Sequence, residues 1–117
     1  MKYNIIQEKS FDFSIRIVNL YKFLTKDKKE FVLSKQVLRS GTSIGANVEE
    51  AIGSFSESEF VYKLQIAYKE TRETIYWLKL LCKTDFITEE QFSSISNDAT
   101  EIYKILTKII KTKKNIQ

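Results

Sequence analysis

The chain reads as all-α, an antiparallel up-down four-helix bundle, and three observations carry that reading. Its 117 residues contain no proline, and a chain free of the residue that breaks helix interiors favours long helices over a turn-rich sheet. Four stretches carry apolar residues at steps of three and four, the period of a helix that buries one stripe. The segments between them are short, and two hold the helix-start pattern of Ser or Thr followed three residues later by Glu or Gln. With 43% hydrophobic and 29% charged residues, the length suits one soluble domain spanning 1–117 with a modest core. Helices are expected over about 11–25, 31–52, 57–84 and 89–112.

The first helix carries Phe13, Ile17, Leu20 and Leu24 on its stripe, and Phe11, Ile15, Val18 and Tyr21 would widen it. The charged run Lys26–Glu30 is expected to be a loop. The second helix is the one around which the rest is organised. Leu33, Val37, Ile44, Val48 and Ile52 keep helical spacing while Gly41, Gly45 and Ala46 thin its wall. A thin wall admits a close neighbour, and it must be repaid by packing, since each glycine lowers intrinsic helix stability by up to ~1 kcal/mol. Ser56 and Glu59 open the third helix. That helix holds Phe60, Leu64, Ala67, Ile75, Leu78 and Cys82 near one stripe, with Tyr62, Tyr76, Trp77 and Leu81 spread onto other faces. Apolar coverage beyond one stripe predicts a further partner for this helix, namely a second subunit. Thr88 and Gln91 open the fourth, whose Phe92, Ile95, Ala99, Ile102, Leu106 and Ile109 form a bundle seam.

Several function classes fall away on residue types alone. The chain has no histidine, so histidine acid–base catalysis, triads and Glu-x-x-His di-metal sites are excluded. Gly41 and Gly45 follow no strand and precede no Gly-Lys-Ser/Thr, so they do not form a phosphate loop. Around Gly41 the chain briefly resembles the turn of a helix-turn-helix. Asn47 then falls where a recognition helix needs an apolar anchor, and the helices that follow are too long. Neither an enzyme, a metal nor a cofactor is expected. Cys82 is the single cysteine, which rules out an intrachain disulfide and suits a reducing cytoplasm. No apolar run is long enough to span a membrane, and Met1–Ser10 has no secretion-signal pattern.

Two sets of polar residues remain. Arg39, Ser43, Asn47 and Glu50 lie near one another on the second helix. They are expected to form a register-fixing network with Glu70, Arg72 or Glu73 on the third, because any one of them buried alone would be costly. A subunit boundary or ligand is the competing reading. The second set is basic. The net charge of +4 permits a polyanionic partner without requiring one. Lys22, Lys26, Lys28, Lys29, Lys35, Lys104, Lys108, Lys111, Lys113 and Lys114 are candidate phosphate contacts. The bland reading is a solvated face, with the C-terminal lysines opposing the helix dipole.

Three segments together resemble a known group: Arg39-Ser40-Gly41-x-Ser43-Ile44-x-Ala46-Asn47-Val48-x-Glu50-Ala51, Glu59-Phe60-x-x-x-Leu64-x-Ile66-Ala67, and Glu73-Thr74-x-Tyr76-Trp77-Leu78. They look like the bacterial four-helix bundle proteins first noticed as reading frames in intervening sequences of large-subunit ribosomal RNA genes. The resemblance runs from Phe13 to Leu106; Gly45 stands where that family often has proline, and Ala51 where it often has glycine. The group is similar to the accessory variability determinant proteins of diversity-generating retroelements, which form homopentameric barrels and bind nucleic acid and a reverse transcriptase through basic surfaces. What the resemblance implies here is a homopentamer, association with RNA or DNA, and a reverse transcriptase as a further partner. The leading expectation is a non-enzymatic oligomeric bundle that binds nucleic acid through a composite basic surface. A structural adaptor without a nucleic-acid ligand is the alternative.

Overall fold

The apolar stripes meet in a single core, and each helix contributes to it through the residues that its spacing selects. The computed structural model describes residues 2–116. It comprises α1 (Asn4–Lys26), α2 (Leu33–Ile52), α3 (Glu57–Lys83) and α4 (Glu89–Ile116), arranged as an antiparallel up-down bundle measuring 47 × 21 × 21 Å. The α2–α3 packing is the most extensive and the α1–α4 packing the sparsest. Phe13, Ile17 and Leu24 from α1 are buried with Ile95, Ala99, Ile102 and Leu106 from α4, while Leu20, Phe92 and Ile109 pack partly buried at the margins.

Helix α1 begins at Asn4, well before the expected residue 11, because Ile6 and Ser10 continue its buried face. Phe11, Ile15 and Val18 do not widen that face; they are 65%, 48% and 37% exposed. They recur at steps of four and three on the outward side of the helix. The α1–α2 connection is more ordered than a charged run implies. Lys29 adopts φ 54°, and the Glu30 carboxylate accepts from the backbone N–H groups of Val32, Leu33 and Ser34 at 3.2, 3.0 and 2.6 Å. Glu30 thus caps the open first turn of α2, a role of about 1 kcal/mol. Burial pushes its carboxyl up, but the three N–H donors outweigh that and hold it below the usual glutamate range.

The thin wall of α2 faces α1. A Cβ on Gly41 would stand 2.7 Å from the Ile17 side chain, and one on Gly45 would stand 3.2 Å from the Ser10 carbonyl oxygen and the Ser14 hydroxyl. Ala46 takes no part, being exposed. On its other side α2 meets α3, where the Thr74 hydroxyl donates to that of Ser40 at 2.9 Å between buried residues. Ser56 caps α3 by accepting from the Glu59 N–H at 3.1 Å. Thr88 and Gln91 form a reciprocal box at the start of α4, each backbone N–H donating to the other's side chain at 2.9 and 3.1 Å.

Candidate nucleic-acid interface

Topology separates the two lysine groups. In an up-down bundle the end of α1 and the start of α2 lie at one pole, with the α3–α4 turn, while the end of α4 lies at the other. Lys22, Lys26, Lys28, Lys29 and Lys35 therefore cannot join Lys104, Lys108, Lys111, Lys113 and Lys114 in one patch on a single chain. Asp27, Asp85, Glu89 and Glu90 share the first pole and dilute its charge. The second group divides again. Lys113 is a packing residue: its amine lies 2.7 Å from the Glu57 carboxylate and 5.6 Å from the centre of the Phe60 ring, with only 20% of the side chain exposed. The Glu57 hydrogen bond, then the Tyr3 hydroxyl, raises its pKa. Lys104, Lys108, Lys111 and Lys114 are exposed, and none of them forms an ion pair among the described residues.

The polar set on α2 is split between three partners. Arg39 and Glu50 both reach across to α3, at separate places; Arg39 pairs with Glu73 and lies 3.4 Å from Glu70. Glu73 also accepts from the Trp77 indole N–H at 3.0 Å, so Arg39, Glu70, Glu73 and Trp77 form one cluster. Asn47 instead donates to the carbonyl of Ser43 at 2.8 Å, a local bond within α2. Glu50 pairs with Lys63 at 2.8 Å. The four residues share a helix face, but their reach differs. Arginine spans the gap between helices, and asparagine is short enough to bond back to its own turn. Burial raises the pKa of Glu70, against the pull of Arg39.

Arg72 joins a site that sequence reading places elsewhere. It faces α4 rather than α2, with its guanidinium carbon 6.0 Å from the centre of the Tyr103 ring. Tyr68 and Tyr103 lie tilted with ring centres 5.1 Å apart, and the Tyr68 hydroxyl donates to that of Tyr103 at 3.3 Å. Arg72, Ile75, Thr100 and Tyr103 line a shallow hollow of about 250 Å³ in the furrow between α3 and α4. The signal for this site was available as paired spacing: Tyr68 and Arg72 are four apart on one helix. Its partner on α4 is visible only in three dimensions.

The carboxylates nearest this furrow turn away from it. On α3, Glu70 and Glu73 face Arg39; on α4, Asp98 lies 2.7 Å from Arg16 and Glu101 pairs with Lys9, both on α1. Arg72, Lys79, Lys104 and Lys111 are left exposed along the α3–α4 flank. Apolar side chains are exposed elsewhere. Besides the α1 stripe, Tyr62 and Tyr76 on α3 are 60% and 58% exposed, whereas Leu81 is fully buried and Trp77 half-buried. Burial pushes the Cys82 thiol up, which leaves it unreactive. No group of potential metal-ligating side chains and no helix long and apolar enough to cross a membrane occurs among the described residues.

An all-α bundle with a register cluster between α2 and α3 and a cationic flank defines the class. The chain matches the family described as 23S rRNA-intervening sequence protein over residues 2–108, and it belongs to that family. It is also similar to a crystal structure from Bacteroides thetaiotaomicron described as a protein with unknown function from the S23 ribosomal protein family. The two share 59% sequence identity over 95% of this chain and 99% of that one, with a TM-score of 0.93. No curated protein matches the chain.

Proposed function

We propose that this protein is a non-enzymatic homo-oligomeric bundle that associates with nucleic acid, RNA foremost, through lysines on the outward face of α4. The observation that carries the reading is that Lys104, Lys108, Lys111 and Lys114 are exposed and unpaired among the described residues, while the mid-length carboxylates Glu70, Glu73, Asp98 and Glu101 of α3 and α4 are matched by cations of α1 and α2. Unpaired exposed lysines retain phosphate as a favourable partner, and phosphate contacts release counterions. Repetition of the face around an oligomer multiplies the attraction through effective concentration. The exposed Phe11, Ile15 and Val18 stripe supports self-association through α1, and the family resemblance supports five copies.

The test is RNA and DNA affinity by fluorescence anisotropy across a salt series. Affinity should fall steeply with salt and show little base preference. Changing Lys104, Lys108, Lys111 and Lys114 together to Gln should flatten the slope, by roughly 0.7 for every single-strand phosphate that is no longer neutralised. Helicity should be unchanged, since all four side chains are exposed. Absence of binding at low salt, or an unchanged slope in the variant, transfers the role to a structural adaptor.

A further inference from the structure

We infer that the furrow between α3 and α4 is a single-strand-selective base-stacking site, in which Tyr103 and Arg72 take an unpaired base while Lys104 and Lys111 hold the flanking phosphates. The inference rests on the nucleic-acid reading above and deepens it by naming the form of nucleic acid and the residues that distinguish it.

Three features of the furrow support it. The first is chemical pairing: an aromatic ring with a guanidinium 6.0 Å from its centre offers the two flat surfaces on which unstacked bases rest. The second is charge. An arginine seated beside a salt-bridge partner has its charge answered, but the described neighbours of Arg72 are the phenols of Tyr68 and Tyr103, which are neutral near pH 7. With Glu70, Glu73, Asp98 and Glu101, the carboxylates nearest the furrow, directed to α1 and α2, the middle of the flank attracts an anion. The third is preorganisation. The Tyr68 hydroxyl holds that of Tyr103 at 3.3 Å, and two rigid helices carry both rings, so little side-chain freedom is lost on binding.

A duplex cannot use this site, because its bases are already stacked on one another and the furrow admits only a base that a single strand leaves unstacked. Base identity matters little, since every base has a flat face. The site therefore predicts selectivity for strandedness and indifference to sequence.

The experiment compares three labelled probes of equal length by anisotropy on the full chain: a single-stranded RNA of mixed sequence, its duplex, and an abasic sugar-phosphate strand. The parent should bind the single strand about tenfold or more tighter than the abasic strand. Tyr103→Leu should bring single-strand affinity down to the abasic level with the salt slope unchanged. Arg72→Gln should weaken binding and also reduce the slope by roughly 0.7. Equal binding of abasic and normal strands, or an unaffected Tyr103→Leu, overturns the stacking site while leaving nucleic-acid association standing. Failure of the parent to bind any probe overturns both readings. An altered assembly mass in Arg72→Gln with RNA binding intact makes the furrow a subunit boundary and also overturns it. Should Tyr103→Leu fail to fold, the abasic comparison and the exposed Arg72→Gln decide.

Discussion

Glu70 and Glu73 are one turn apart, touch the same arginine, and should respond oppositely to neutralisation. Burial is the largest influence on Glu70 and raises its pKa despite Arg39, so its charged form is disfavoured by folding. A carboxyl with a raised folded pKa opposes folding once pH exceeds the unfolded value of about 4.3 and does so fully above the folded one. Glu70→Gln should therefore be at least as stable as the parent at pH 7 in urea, with the difference vanishing as pH falls below about 4.3. Glu73→Ala removes the acceptor of the Trp77 indole and a partner of Arg39, which should cost about 1 kcal/mol and shift Trp77 emission to the red. The Arg39 cluster was legible in the sequence because a long cation on one helix faced carboxylates on the next. The separate fates of Asn47 and Glu50 were not, since a shared face does not say which neighbour each side chain can reach. Lys113 misled for a related reason: composition counts a lysine as free charge, and only packing shows Glu57 and Phe60 beneath it.

Helices α2, α3 and α4 were legible to within a few residues at most boundaries, because caps at Ser56 and Thr88 act through neighbours in sequence. The start of α1 was obscured, since Tyr3 supplies no side-chain cap and the polar run Gln7-Glu8-Lys9-Ser10 separates Ile6 from Phe11. Which helix the glycines approach could not be read at all; spacing gives a face, and the partner comes from assembly of the bundle. Their proximity to α1 makes a sharp test. At Gly45 a Cβ would meet a backbone carbonyl at 3.2 Å, an atom that cannot swing aside. Alanine gains about 1 kcal/mol in helix propensity and should roughly offset that close approach. Leucine adds three more carbons, so Gly45→Leu should lose on the order of 1–3 kcal/mol or more in urea unfolding through overpacking. Equal or greater stability would mean that α1 and α2 separate without cost.

For the molecule as a whole, the expected excess of apolar surface is present, but its main location is α1 rather than α3. A periodicity count treats Phe11, Ile15 and Val18 as extra core, whereas their angle on the helix directs them outward. Contiguous exposed apolar side chains on a soluble domain mark an association surface. Light scattering at micromolar concentration should return a multiple of 13.7 kDa, and Phe11→Glu with Ile15→Glu should reduce it to one chain with helicity retained. A parent that scatters as a stable monomer would remove self-association from the proposal.

Helices that meet chiefly their neighbours in sequence, in a chain without proline, also bear on kinetics. Local contacts allow folding within about milliseconds, and no prolyl isomerisation exists to add a phase of roughly 10–100 s. Trp77, the single tryptophan, sits edge-on to Tyr76 with ring centres 5.0 Å apart and so reports closure of the bundle. In stopped-flow refolding its signal should rise in one fast phase whose rate ignores protein concentration. Any later phase must then be bimolecular, accelerating as concentration rises, and its rate measures directly how quickly finished bundles find one another.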